Sequence, residues 1–352
     1  MASNVAFVNV TRQCNVDCQR CYLTPEHRSG GERLPEAILR AFFDHPFWAD
    51  ESLIIWEGGE PVATGSAFMR EMVAVAKEVV PHARQTMVTN CYSVPTWLID
   101  LAHDQFGSKL ETTFAMGLKS NLAGDETAYR EAFTKGLNRF WEAGVSCPVN
   151  VELNAETVAA GVDALASYIL STKAKVWEFD LSVDFESFLA APSYSARSTP
   201  ALKPTVSYST AWGFLAQLKE RWHQAFVGAG IVIGAFEQIP GEANGQFNVL
   251  SEHRFLTLNP DGSVTTNPLY SDLVGTFLGN LGSSTMDQIL SSPRRTGRIV
   301  DERRRLLSCS KCPHRSYCRG GPAHVPVYDG SGECAGGMKM WTLLEEGMKH
   351  CA

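Results

Sequence analysis

The run Val10-Thr11-Arg12-Gln13-Cys14-Asn15-Val16-Asp17-Cys18-Gln19-Arg20-Cys21-Tyr22 decides how this chain is read. The residues before it (Val5, Ala6, Phe7, Val8, Val10) read as a strand, which puts the cysteines in a loop at the strand's carboxyl end. Their spacing is C-x3-C-x2-C. Three thiolates can hold three irons of a four-iron, four-sulfur (4Fe-4S) cluster, whereas a purely electron-transferring cluster takes four. An iron without a protein thiolate is free to bind a substrate or cofactor, as the open position of a catalytic metal is. Three structural or zinc-binding thiols are the alternative at this stage.

Outward from that loop, strand patterns alternate with helical ones. Residues 52–56 read as a buried strand ending in Glu57-Gly58-Gly59-Glu60-Pro61, and 85–90, 110–116, 147–153 and 176–183 as further strands. Helical spacing is seen at 34–43, 68–80, 96–103, 126–143 and 156–170. Such alternation implies βα units and a parallel sheet. Six strands are too few for the eightfold barrel, so a partial, open barrel is expected. Ligands of such a sheet bind outside the carboxyl ends of its strands. The cysteine loop, the Gly-Gly-Glu-Pro turn, Asn90 and Cys91 all fall on that rim.

Residues 187–209 form a long loop rich in Ser, Pro, Ala and Tyr, either a surface connection or a lid. Residues 211–227 read as a helix. The pattern then changes: 255–266 is a hairpin around Asn259-Pro260-Asp261-Gly262, and 286–290 and 297–307 are short helices. The basic run Arg294, Arg295, Arg298, Arg303, Arg304, Arg305 reads as a solvated helix face. A division into residues 1–235 and 236–352 is expected.

The net charge of -7 argues against non-specific nucleic-acid binding, which needs an excess of Lys and Arg. With no leader-like start and no apolar run of membrane-spanning length, the chain reads as cytoplasmic and free of the membrane. In that compartment its ten cysteines read as metal ligands or catalytic thiols rather than disulfides. They cluster at the two ends, with only Cys91 and Cys147 between. Cys147 reads as core. Cys91 is either a small buried hydrophobe or a thiol that returns hydrogen to a substrate radical. The histidines show no ligand spacing. Asp180, Asp184 and Glu152 lie near strand ends and could act as a base.

The Cys14–Cys18–Cys21 spacing and Gly58-Gly59-Glu60-Pro61, each after its expected strand, resemble the radical S-adenosylmethionine (SAM) superfamily. Arg20 departs from the pattern, which is usually aromatic there. The resemblance implies a partial (β/α)6 barrel, a cluster held by Cys14, Cys18 and Cys21, and SAM on the cluster's unique iron. It further implies Gly58, Gly59, Glu60, Pro61 and Asn90 as SAM-binding residues, with Ser120 and Arg130 toward the SAM carboxylate. Reduction of the bound SAM then yields a 5'-deoxyadenosyl radical that takes hydrogen from unactivated carbon. An electron donor such as flavodoxin or ferredoxin is the implied partner.

Cys309-Ser-Lys-Cys312-Pro-His-Arg-Ser-Tyr-Cys318-Arg-Gly-Gly321 resembles the cysteine-rich SPASM extension of peptide- and protein-modifying members. That extension usually carries two auxiliary clusters. Here Pro322 follows Arg-Gly-Gly where a cysteine is usual, Asn267 ends the hairpin where another is usual, and no cysteine lies between Cys147 and Cys309. One auxiliary 4Fe-4S cluster is therefore expected, held by Cys309, Cys312, Cys318 and Cys334, with Cys351 as the reserve ligand. Zinc is the alternative. The expected activity is oxidation or cross-linking of a peptide or protein. The early position of Cys14 leaves little room for a preceding peptide-recognition domain, so dehydrogenation or epimerisation of a small metabolite (aminocyclitol, sugar or amino acid) is the alternative. A non-catalytic electron-transfer protein would not need the Gly-Gly-Glu-Pro turn.

Overall fold

The computed structural model describes residues 4–18, 20–49, 51–116, 126–185, 201–237, 252–318 and 320–349. Its centre is a curved parallel sheet. Strands β1 (Asn4–Thr11), β2 (Ser52–Gly58) and β3 (Arg84–Met87) pair in parallel order, as do β4 (Thr112–Phe114), β5 (Val149–Leu153) and β6 (Val176–Leu181). A parallel bridge between Val88 and Glu111 joins the two ladders, with Glu111 N–H donating to the Met87 carbonyl at 2.9 Å. A short antiparallel pair, β7 (Val183–Asp184) with β8 (Lys203–Pro204), follows β6, and β9 (Val232–Ile233) then adds to the β6 edge.

The strands form where buried apolar residues alternate with others. β5 reads Val149, Val151, Leu153 on the buried side, and β6 reads Trp177, Phe179, Leu181. These sets pack under helices on the outer face, as period-two alternation requires. The expected helix over 156–170 is in fact two, Ala155–Ala160 and Val162–Ser171, divided at Gly161, whose φ of 84° breaks the helical path. The helix expected over 297–307 begins earlier, at Pro293, because proline suits the first helical turn.

The hairpin after the barrel is not separate from it. β10 (Phe255–Leu258) pairs in parallel with β1 on the side opposite β2, and β11 (Ser263–Thr265) and β12 (Gly279–Asn280) continue that sheet antiparallel. Gly262 N–H bonds to the Asn259 carbonyl at 3.0 Å and closes the turn. The sheet therefore runs across the expected division near residue 235. Helix Tyr208–Gly228 adds a second tie: Tyr208 Oη donates to the Pro326 carbonyl at 2.6 Å, and Trp212 Nε1 to the Cys334 carbonyl at 2.8 Å. One apolar core includes Trp48, Trp56, Trp177, Trp212 and Trp341, all essentially buried. Among the described residues no helix is long and apolar enough to cross a membrane.

Candidate active site

The cysteine loop and the Gly-Gly-Glu-Pro turn form one assembly. Gly59 N–H donates to the Thr11 carbonyl at 2.9 Å, and Glu60 N–H to the Gln13 carbonyl at 2.8 Å. The contact is so close that side chains are excluded. A Cβ on Gly58 would lie 2.1 Å from the Thr11 oxygen, and one on Gly59 would lie 2.2 Å from the Gln13 oxygen. Gly58 also has φ 130°, a backbone region that L side chains rarely adopt. Tyr22 Oη donates to the Gly58 carbonyl at 2.8 Å and ties the loop's far end to the same turn.

Glu60 is buried and fully engaged within the protein. Its carboxylate accepts from Val62 N–H at 3.0 Å, Asn90 N–H at 2.7 Å and the Thr89 hydroxyl at 3.1 Å. It thereby joins the ends of β2 and β3. Burial pushes its carboxyl up to about 7 against the pull of those donors. Asn90 Nδ2 donates to Asn15 Oδ1 at 2.7 Å and lies 3.9 Å from Cys14 Sγ, so the third strand's end also holds the cysteine loop.

Cys14, Cys18 and Cys21 line one cavity of about 920 Å³, together with Gly58, Gly59 and Asn90. Among the described residues no three His, Cys, Asp or Glu side chains converge as around a single metal ion. The three thiols line one cavity, and a cluster with one thiolate on each of three irons needs room between its ligands. Burial, then the Glu60 charge and the Cys21 thiol, push the Cys14 thiol up to about 12, and Cys18 is raised by burial and by Cys21 and Cys14. Three thiolates there need a positive charge between them. Leu23 N–H, 3.4 Å from Cys21 Sγ, and Val16 N–H toward Cys14 favour the thiolate form. The donor set thus fits an iron–sulfur cluster.

Two side chains that the motif pattern leaves unexplained secure the loop. Arg20 makes two bonds to Glu156, at 2.7 and 2.6 Å, anchoring the loop to the helix after β5. Arg12 is buried between Glu32 at 3.0 Å, Asp261 at 3.2 Å and Asp272 at 3.2 Å. Asp272 also accepts from Thr24 N–H at 2.6 Å and lies 2.8 Å from His27 Nδ1. The hairpin region of the carboxyl-terminal part thus clamps the cysteine loop from outside the barrel.

The second cysteine group assembles below helix Tyr208–Gly228. Cys309 and Cys318 are buried, while Cys312 and Cys334 are half-buried. Cys309 and Cys312 both raise the Cys318 thiol, and Cys318 in turn raises Cys334, which places the four in one neighbourhood. A glycine again allows the approach: a Cβ on Gly336 would sit 2.2 Å from Cys318 Sγ. Arg305 donates to the Gly320 carbonyl at 2.9 Å. Arg319 and Cys351 lie outside the described residues.

The remaining expected positions divide. Ser120 lies outside the described residues. Arg130 sits on helix Glu126–Glu142, paired with Glu126 at 3.2 Å and about one-third exposed. Cys91 is fully buried at φ 57°, hydrogen-bonded to Cys147 and pressed against Gly136 of the same helix. That places the thiol in the core, and Cys91 is not among the described residues that line the cavity. Glu152 and Asp180 do line the cavity, as do Asn267 and Pro322, the two positions at which the family resemblance leads one to expect cysteine. Asn267 uses its side chain to cap the next turn, accepting from Leu269 N–H at 3.0 Å.

Residues that sequence reasoning passed over also line the cavity, namely Glu57, Glu111, Asn150 and Glu178. The signal for them was available. Polar residues at every second position of otherwise apolar strands (Val149-Asn150-Val151-Glu152-Leu153 and Val176-Trp177-Glu178-Phe179-Asp180-Leu181) mark an inward face that is not core.

No family model matches the chain. It is 35% identical over 74 residues to an uncharacterized protein of a Synechocystis strain, covering 20% of this chain and 19% of that one. It is 27% identical over 114 residues to the serine-type anaerobic sulfatase-maturating enzyme of Klebsiella pneumoniae, covering 31% and 28%. The chain thus matches less than a third of the length of these relatives. Among solved structures, it superposes on anSMEcpe with bound AdoMet at a TM-score of 0.73, with 16% identity, over 98% of this chain and 93% of that one. The same protein with AdoMet and the Cp18Cys peptide gives 0.70, with 17% identity, over 97% and 95%. SuiB of Streptococcus suis bound to its precursor peptide SuiA gives 0.58, with 11% identity, over 91% and 72%. The fold is that of the SPASM/twitch radical SAM proteins, shared over nearly the whole chain.

Proposed function

We infer that the chain is a radical SAM enzyme of the SPASM/twitch type, acting on a peptide or protein. The observation that carries this is the docking of Gly58-Gly59 on the backbone of Thr11 and Gln13 beside three thiols that line one cavity. Neither motif needs that contact for packing alone. Cys14, Cys18 and Cys21 would hold one 4Fe-4S cluster, and Cys309, Cys312, Cys318 and Cys334 an auxiliary one. With SAM bound and one electron supplied by a donor, the first cluster would supply hydrogen abstraction from unactivated carbon, giving methionine, 5'-deoxyadenosine and a substrate radical.

The chain's own residues bind, orient and exclude water. The Gly-Gly-Glu-Pro turn offers main-chain carbonyls to an amine such as that of SAM's methionine part. Glu60 holds that turn against Asn90 and so acts as a positioning residue. Asn90 orients the cysteine loop through Asn15. Phe7, Val16, Tyr22, Tyr129 and Phe185 form apolar wall and reduce access of water to the reacting carbon. Glu152, hydrogen-bonded to Ser182 at 3.2 Å and pushed up to about 7 by burial, is suited to accept a proton when substrate is oxidised.

Asn267 and Pro322 on the cavity wall supply no thiolate, which supports a single auxiliary cluster and would leave that part of the cavity to substrate. The peptide reading draws support from the peptide-bound neighbours and the sulfatase-maturating relative. The electron would come from a flavodoxin- or ferredoxin-type donor. Two measurements test this. Reconstituted protein should hold about eight irons, and about twelve would rule out the single auxiliary cluster. Reduced protein with SAM should release 5'-deoxyadenosine, and failure to do so would count against the whole reading.

A further inference from the structure

The inner wall of the barrel carries a concentration of acid of which the chemistry above uses only Glu152. In the sheet register Asn150 pairs with Glu178, and Glu152 with Asp180, so four polar side chains form two rows on the cavity face of β5 and β6. Thr113 of β4 continues the first row, pairing with Asn150. Glu57, at the end of β2, and Glu111, just before β4, face the same space, and Glu237 adds another carboxylate to the wall.

Neighbouring like charges repel across strands, and a buried acceptor without a donor costs about 1–3 kcal/mol. Partial relief exists: Asn150 Nδ2 donates to Asp180, and Ser182 to Glu152. Yet Glu57 Oε1, Glu178 Oε2 and Asn150 Oδ1 are buried with no partner. The basic residues on the wall do not supply one. Arg20 is committed to Glu156, and burial pushes His324 down to about 4, which leaves it neutral. Lys109 is exposed and acts on Glu111 and Glu178 only through its field. Gly234 makes room for one of these acids: a Cβ there would lie 2.0 Å from Glu178 Oε2.

We propose that this acidic inner wall is a subsite for a positively charged group of the substrate, a protonated amine or a guanidinium. The proposal rests on the cavity being the substrate chamber. A guanidinium brings five donors and an ammonium three to a wall short of donors. Charge-assisted bonds to carboxylates are also the stronger kind. An anionic group would be repelled, and a neutral donor would bond without the charge assistance. A Lys or Arg side chain of a peptide and a free amine carry the same recognisable chemistry.

The test is calorimetric titration of the full chain, cluster-reconstituted, with and without saturating SAM. Four probes are compared: a lysine-centred acetylated tripeptide, its norleucine counterpart, agmatine and n-butanol. At least one cationic probe should bind tenfold or more tightly than its neutral counterpart. Preference shown by the tripeptide alone assigns the site to a peptide side chain, and preference shown by agmatine alone assigns it to a free amine. Glu178→Gln and, separately, Glu57→Gln should bring the ratio toward one, so either variant suffices if the other fails to fold. Equal binding of charged and neutral probes by the unaltered chain overturns the proposal. So does a ratio unchanged in both folded variants, or a parallel loss of SAM affinity, which would assign the carboxylates to SAM. Absence of 5'-deoxyadenosine release would refute the radical SAM reading while leaving these ratios to decide the cation site.

Discussion

Replacing Gly59 by Ala probes the contact on which the site is built. The added Cβ would lie 2.2 Å from the Gln13 oxygen, 2.4 Å from the Arg12 oxygen and 2.5 Å from the Gln13 carbonyl carbon. All three are backbone atoms, so no rotamer change relieves the clash. The turn and the cysteine loop must separate by about an ångström. Overpacking of this kind costs about 1–3 kcal/mol. The separation also stretches the bonds from Gly59 to Thr11 and from Glu60 to Gln13, each worth about 1 kcal/mol net. A loss of roughly 2–5 kcal/mol follows, which for a chain of this size is on the order of a 5–10 °C fall in Tm. Differential scanning calorimetry of the metal-free chain reads the stability, and iron analysis after reconstitution reads the loop geometry. Gly213→Ala is the control. It lies within helix Tyr208–Gly228 with nothing within 4 Å of its would-be Cβ, so alanine should stabilise by about 0.5–1 kcal/mol. A Gly59→Ala chain with unchanged Tm and undiminished iron at the Cys14 site would refute the idea that these two segments must touch.

Other consequences are equally direct. Arg12→Met should destabilise by about 3–5 kcal/mol, because Asp272 is left buried beside Asp261 and Glu32 without its cation; a loss under 1 kcal/mol in urea titration would show that the clamp is dispensable. Burial pushes Glu57 up to about 8, with Glu111 adding repulsion. Its folded pKa exceeds the unfolded one, so its protonation favours the folded state fully below about pH 4.5, and that contribution is lost as pH rises through about 8. Glu57→Gln should therefore flatten the stability profile between those limits, by on the order of 2 kcal/mol, and an unaltered slope would contradict this. Cys91→Ala should lower stability by about 1 kcal/mol and leave product formation in place, since the thiol lies in the core; loss of product with intact 5'-deoxyadenosine release would revive it as a hydrogen donor. Gly234→Ala should fold, because the clash falls on the mobile end of Glu178, but it should weaken agmatine binding in calorimetry.

The sequence by itself determined the class of fold and the identity of the first metal-ligand candidates. Strand–helix alternation is local information, since apolar period and turn residues act within a few positions. Cysteine spacing and the Gly-Gly-Glu-Pro turn are local as well, so their resemblance was legible without coordinates. The missing cysteines at Asn267 and Pro322 could also be read directly. Only the tertiary structure decided what depends on chain segments far apart in sequence. Gly59 is glycine because Gln13 passes 2.2 Å from where its Cβ would be. Arg12 is buried because Asp261 and Asp272 return beside it through β10. Asn267 and Pro322 face the same cavity as Cys14 although 253 and 308 positions separate them from it in sequence. The acidic wall is the clearest case. Each of its carboxylates sits unremarkably in its own stretch of chain, and the charge gathers only when a curved parallel sheet turns alternate residues of β2, β5 and β6, with Glu111 and Glu237 beside them, toward one space.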